Sequence, residues 1–214
     1  MLSNYQVGKQ SAANGTNPVA RAAREGDVVV TENQGRYYQK ASEGDEFVFA
    51  TPLAGLTLAA THTTATLGAT ATPIVTIFNG GTFNIAINRE FVATLSGTPG
   101  AGTYWWYIAN GQQASALTTL TDTGINAKTL ITDTPSGVKL GLGKALTGLT
   151  GSLVLYKPVG SLNTVTASLG VIDRDEAGAV IVAPGQLIAL LAPAAGTTHV
   201  IHAAVDVTKV EVSA

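Results

Sequence analysis

PIVTIFNGGTFNIAINREFVATLSGTPGAGTYWWYIAN, residues 73–110, is the stretch from which the fold of this chain is read. In its middle Phe83, Ile85, Ile87, Phe91 and Leu95 fall on one parity, with Arg89 the exception, while Asn84, Asn88, Glu90 and Thr94 fall on the other. A period of two is a strand period, because successive side chains of an extended chain point to opposite faces. Three pieces rich in β-branched and aromatic residues are separated by Asn79-Gly80-Gly81 and by SGTPGAG at 96–102. They read as consecutive antiparallel strands with one face buried.

Short strand candidates precede this meander at Asp27–Thr31, Arg36–Lys40, Glu46–Thr51 and Leu56–Ala60, with turn residues at Asn33-Gln34-Gly35 and Gly44-Asp45. In the second of these, Tyr37 and Tyr38 face opposite sides, which leaves at least one aromatic for a partner surface. After the meander, Ala114, Leu117 and Leu120 stand at helical spacing, but TTLTDTG is a poor helix former, so 111–124 reads as a loop with at most one helical turn. Strands follow near Thr129–Thr132, Gly137–Leu140 and Ser152–Tyr156. Asn163–Ile172 alternates well and is ended by an acidic turn, Asp173 to Gly178. Ala179–Val182 and Gln186–Ala192 are nearly all apolar, so both of their faces should be covered. Thr197–Val212 is a long strand with Ile201, Ala203, Val205 and Val207 on one parity. Val210 and Val212 switch parity, which implies a bulge or a strand end packed on another chain.

A strand about every ten residues, with turn signals between, is an all-β signature, and no fixed repeat argues for a propeller or β-helix. The expected architecture is one jelly-roll β-sandwich over residues 27–214, two antiparallel sheets with Greek-key connections. Residues 1–26 show no alternation and are read as an extended N-terminal arm, with one or two helical turns after the Asn17 cap and Pro18.

Charge is sparse: 12 Lys+Arg against 14 Asp+Glu, 12% of a 214-residue chain. So weak a field does little to steer nucleic acid or an anionic membrane, and a surface this neutral favours cover by neighbouring subunits. Cysteine is absent, which removes disulfides and thiolate metal sites. No secretion signal is legible at the start, and no run of about 18 apolar residues is uninterrupted, so a soluble protein is expected.

The search for reactive chemistry yields little. His199 and His202 are three apart on an expected strand, hence on opposite faces, and with His62 remote no zinc site is expected. Gly141-Leu142-Gly143-Lys144-Ala145 fails as a phosphate loop, because Val138 and Ala145 stand where Gly and Ser or Thr are needed. Asn14-Gly15-Thr16 matches a glycosylation acceptor by chance. Asp173, Asp175 and Glu176 carry hard oxygen ligands, but Arg174 among them favours a solvated turn over a calcium site. No carboxylate pair stands out for hydrolysis. Tyr104, Trp105, Trp106 and Tyr107 form the densest aromatic cluster. On a strand Tyr104 and Trp106 share one face and Trp105 and Tyr107 the other, so one pair should be core and the other a sheet face under a loop. A subunit interface or a sugar-stacking platform are the alternatives.

TPIVTIFNGG leading into FNIAINREFVATLSGTPGAGTYWWYIANG, and later VIVAPGQLIALLAPAAGTTHVIHAAVDVTKVEV, resemble the jelly-roll decoration (cement) proteins of tailed-bacteriophage heads. The resemblance implies a non-enzymatic virion protein without cofactor or metal, assembled in the host cytoplasm and placed on the capsid surface. Its partners would be the major capsid protein and itself, as a homotrimer, with no nucleic acid, membrane or small-molecule substrate. On that reading Tyr5, Arg21 and Arg24 of the arm are expected at the shell, and Tyr37, Tyr38, Val210 and Val212 between subunits. A tail-tip receptor-binding or carbohydrate-binding module using Trp105 or Trp106 is the alternative, and a glycan-degrading enzyme a third.

Overall fold

The computed structural model describes residues 38–57, 66–98, 100, 102–113, 117–162, 170–192 and 199–211. The chain divides into Met1–Gln39 and Lys40–Ala214, and the architecture below is that of the second unit. The expected arm, Tyr5, Arg21, Arg24, Tyr37 and Val212, the strand at Asp27–Thr31, His62 and most of Asn163–Ile172 lie outside the described residues.

The first described element corrects the strand expected over Arg36–Lys40. Tyr38–Glu43 is an α-helix, α1. Gln, Lys, Ala and Glu are strong helix formers and outweigh the β preference of one tyrosine. Lys40 pairs with Glu43 at 3.0 Å one turn on. Gly44, at φ +88°, ends the helix in a Schellman turn, with Gly44 N–H donating to the Ala41 carbonyl at 3.1 Å and Asp45 N–H to that of Lys40 at 2.9 Å. Gly44-Asp45 is therefore a helix cap, not a strand-to-strand turn. Of Tyr38 only the backbone, within α1, is described.

Among the described residues thirteen strands follow: β1 (Glu46–Ala50), β2 (Leu56–Thr57), β3 (Thr66–Leu67), β4 (Val75–Asn79), β5 (Asn84–Ser96), β6 (Tyr104–Ala109), β7 (Gly124–Asn126), β8 (Thr132–Asp133), β9 (Val138–Leu142), β10 (Leu153–Gly160), β11 (Val171–Val182), β12 (Leu187–Leu191) and β13 (Val200–Val210). They make a two-sheet antiparallel sandwich. One sheet has seven strands in the order β11-β5-β13-β1-β7-β8, with β2 beside β13. The other has six, in the order β3-β10-β6-β12-β4-β9. The pairings nest: β1 with β13, β4 with β12, β5 with β11 and β6 with β10. Between the sheets lies one apolar cluster that includes Phe47, Phe49, Ile77, Ile85, Ile87, Tyr104, Trp106, Leu140, Val205 and Val207.

Strand β5 departs from its sequence pattern in an informative way. On β13, Val207 faces Ile87 while Asp206 faces Arg89, and on β11 the partners step from Val180 at Ile87 to Asp175 at Arg89. Asn88 is thus an extra residue against β13, a β-bulge, and its side chain donates to Thr208 Oγ1 at 2.6 Å. A one-residue bulge reverses which parity faces inward. Ile85 and Ile87 point into the core before it. Glu90, Val92 and Thr94 are the buried set after it, while Arg89 and Leu95 are exposed and Phe91 half-buried. Arg89, the exception in the sequence, is the outward sign of that reversal.

Strand β11 likewise runs through the acidic segment read as its end. The interruption is a bulge between Asp175 and Val180, where Ala177 and Gly178 adopt positive φ of 55° and 76°. Strand β10 continues past Lys157-Pro158 to Gly160 with two register shifts. β12 is buried along its length as expected, but Ile181 of β11 is exposed, so the cover expected on both faces there is incomplete.

Candidate interaction surface

The two sheets treat their outer faces differently. On the six-stranded sheet, Phe78, Tyr107, Ala109, Leu153, Leu187, Ala189 and Leu191 form a second apolar cluster with Ala71, Leu117, Leu120 and Leu146 from loops. Those loops make a roof, and it is tied down. Gln113 donates to Thr150 O at 2.9 Å and accepts from Thr150 N at 2.8 Å. Thr119 Oγ1 donates to Ala145 O, and Asp122 accepts from Leu142 N at 2.8 Å while pairing with Lys144 at 2.8 Å. The aromatic quartet divides as its parity demands: Tyr104 and Trp106 lie between the sheets, Tyr107 under the roof, and Trp105, half-buried, packs against the roof cluster. Trp106 is 0% exposed, which removes it from any sugar-stacking surface.

The seven-stranded sheet has no such roof among the described residues. Its outward positions fall into cross-strand rows: Val171, Ala93 and His202; Asp173, Phe91, Ala204 and Ala50; Asp175, Arg89, Asp206, Val48 and Ile125. Val171, Leu95, Ile125, Ile181 and Val210 are exposed large hydrophobics on this sheet. Val210 is where contact between subunits was expected. Arg89, Phe91, Ala204 and Asp206 line a depression of about 200 Å³.

Charge on this face is one-sided. Glu46, Asp173, Asp175 and Asp206 stand against Arg89, whose Nε donates to Asp173 Oδ1 at 2.7 Å. That hydrogen bond holds the Asp173 carboxyl below the usual range. Asp206, half-buried, has no ion pair among the described residues, and burial raises its pKa despite Arg89 nearby. Burial, and the Asp206 charge after it, raise Glu46 likewise.

Inside the sandwich lies a feature invisible to pattern reading. The β5 bulge turns Glu90 inward, opposite Arg174 on β11, and the β11 bulge folds Glu176 in beside it. Both are buried, at 0% and 4% exposure. Lys157 of β10 and Arg174 pair with Glu176, and Arg174 also donates to Pro158 O at 2.6 Å, so the group bridges the two sheets at their β10 and β11 margin. Neither oxygen of Glu90 meets a hydrogen-bond donor among the described residues. Burial first, then the Glu176 carboxylate, push its pKa up to about 8, with Arg174 and the Trp106 indole pulling the other way. The Glu90 carboxyl thus keeps its proton to a pH well above that at which an exposed glutamate ionises. Asp173 and Asp175 of the acidic segment are solvated as expected, Glu176 alone is folded in, and a carboxylate pair does exist, walled in where no substrate reaches. Among the described residues no three His, Cys, Asp or Glu side chains gather as a metal site.

His199 and His202 lie on opposite faces as expected. His199 is buried, 3.3 Å from Thr94 Oγ1, with its pKa lowered by burial, and His202 contacts Thr51 Oγ1 at 3.3 Å. Family models, curated proteins and solved structures give no match to this chain.

Proposed function

We propose that this chain is a non-enzymatic jelly-roll decoration protein, which binds the outside of an assembled phage capsid in many copies and cements its neighbouring subunits. The jelly-roll reading is supported by the nested pairing of β1·β13, β4·β12, β5·β11 and β6·β10. That nesting is what one long hairpin produces when it is rolled across two sheets as paired Greek keys.

The single observation that carries the functional reading is the outer face of the seven-stranded sheet, which has no roof among the described residues, on a chain that roofs its other sheet with its own loops. An apolar surface left open beside a self-covered one is suited to burial against other subunits, where apolar area drives association. Low overall charge serves the same end. The enclosed Glu90–Glu176 pair is assigned to holding the sheets together rather than to catalysis. Weak single contacts gain strength when an oligomer engages several sites at once.

Quantitative mass analysis of purified particles tests this. Decoration of a shell requires on the order of hundreds of copies per particle, and a few copies would place the chain at a tail tip instead. Deleting residues 1–26 should leave a folded sandwich that no longer binds shells, and undiminished binding would retire the arm as a contact.

A further inference from the structure

The turn from β7 to β8 is built to hold aliphatic side chains in water. Leu130 and Ile131 are 79% and 62% exposed, and Leu130 has φ +57°, a left-handed conformation that costs a non-glycine residue about 1–2 kcal/mol. The turn is nevertheless tightly determined. Asn126 Oδ1 accepts from the Lys128 and Thr129 amides at 3.0 and 3.2 Å, and its Nδ2 donates to Gly44 O at 2.7 Å. Leu130 N donates to Asn126 O at 2.8 Å, and Asn126 N to Ile131 O at 3.0 Å. Lys128 is exposed on the same turn, with no ion pair among the described residues. Among the described residues nothing covers this knob of two aliphatics and one cation.

On the same sheet, the depression lined by Arg89, Phe91, Ala204 and Asp206 has the opposite character. Its floor is apolar, and its acid lacks a salt-bridge partner among the described residues. The depression spans β5 and β13, two to three strand steps from β7, so roughly 10–14 Å separates the knob from its own depression at about 4.8 Å per strand. The knob cannot fill the depression of its own chain.

We propose that Leu130 and Ile131 of one copy seat in the Arg89–Phe91–Ala204–Asp206 depression of a second copy, with Lys128 pairing to Asp206. The occupant is another copy because knob and depression match in apolar character and in charge on one molecule. The contact is head to tail. Stacking this face on its own twin would bring four acids with one cation against the same set, and such like-charge juxtaposition is costly. Head-to-tail contacts close into rings when the rotation allows. The inference rests on reading this face as an interaction surface, and not on the shell.

Sedimentation equilibrium of the full-length protein, with thermal unfolding alongside, tests it. Leu130→Gly removes the anchor and relieves the strained φ. The apparent dissociation constant should rise about tenfold or more, as for an interface anchor, while the unfolding midpoint holds or rises. Lys128→Asp and Asp206→Lys should each weaken association, and the double exchange should restore it to within about threefold of the parent. A parent chain that stays monomeric, or association unmoved by all four variants, overturns the contact. Monomers that still coat particles would sink this contact and spare the decoration reading. Oligomers that follow these expectations but never bind particles would sink the decoration reading alone.

Discussion

The two outer faces of this sandwich solve one problem in opposite ways. Each sheet carries apolar residues on the side away from the shared core. The six-stranded sheet covers its own with Leu117, Leu120 and Leu146 from loops cross-tied through Gln113 and Asp122. The seven-stranded sheet leaves Phe91, Leu95 and Val171 at least partly open, beside Glu46, Asp173, Asp175, Asp206 and Arg89. The same residue types therefore have different consequences. Under the roof they stabilise the fold, whereas on the open face, in the function proposed above, a second molecule buries them.

The largest expected effect lies under the roof. Leu146→Ala or Leu117→Ala deletes a fully buried side chain and should cost about 3 kcal/mol in urea unfolding. Phe91→Ala or Val171→Ala on the open face should stay within roughly 1 kcal/mol. Equal losses on the two faces would erase the distinction.

The next effect is pH dependence. The Glu90 carboxyl is raised from its ordinary 4.5 to about 8, so the unfolded chain releases this proton first as pH rises. The stability contributed by a protonated Glu90 is full below pH 4.5, falls between 4.5 and 8, and is gone above that. Glu90→Gln keeps a neutral group of similar shape, and should stabilise the protein by on the order of 3 kcal/mol at pH 9 relative to the parent while changing little at pH 4. Denaturation at the two pH values measures this, and a parallel offset at both would contradict the assignment. This core response should leave the open face unmoved.

A smaller effect sharpens the comparison from the other side. Val171→Lys should leave the unfolding midpoint within about 0.5 kcal/mol of the parent while lowering self-association and raising solubility. Tyr107→Lys, beneath the roof, should not yield a folded protein.

Much of the fold was legible. That residues 73–110 hold three strands, and that Tyr104–Tyr107 divides into a core pair and a covered pair, follow from parity and turn chemistry. The strands are no meander, however: β4 and β6 lie in the six-stranded sheet and β5 in the other, each paired with a strand from later in the chain. What escaped depends on residues far apart in the chain. The Asn88 bulge is held by Thr208, on a strand 120 positions away, and no local pattern announces that partner. Arg89 was its one visible trace, an ion on an apolar parity. Glu90 and Glu176 meet only because two bulges on adjacent strands coincide. Helix α1 hides in the sequence because it is only six residues long and begins at a tyrosine, a residue that favours strands. The open face is legible in hindsight from Phe91 to Leu95, once the alternation is reversed at Asn88.

Hydroxyl-radical footprinting of the free and the assembled protein tests the central contrast most directly. Phe91, Leu95 and Val171 should be oxidised readily in the free chain and become protected on assembly, while Tyr107, Leu117 and Leu146 remain protected throughout. Labelling of the roofed residues in the free protein, or an open face whose labelling assembly leaves unchanged, would contradict it.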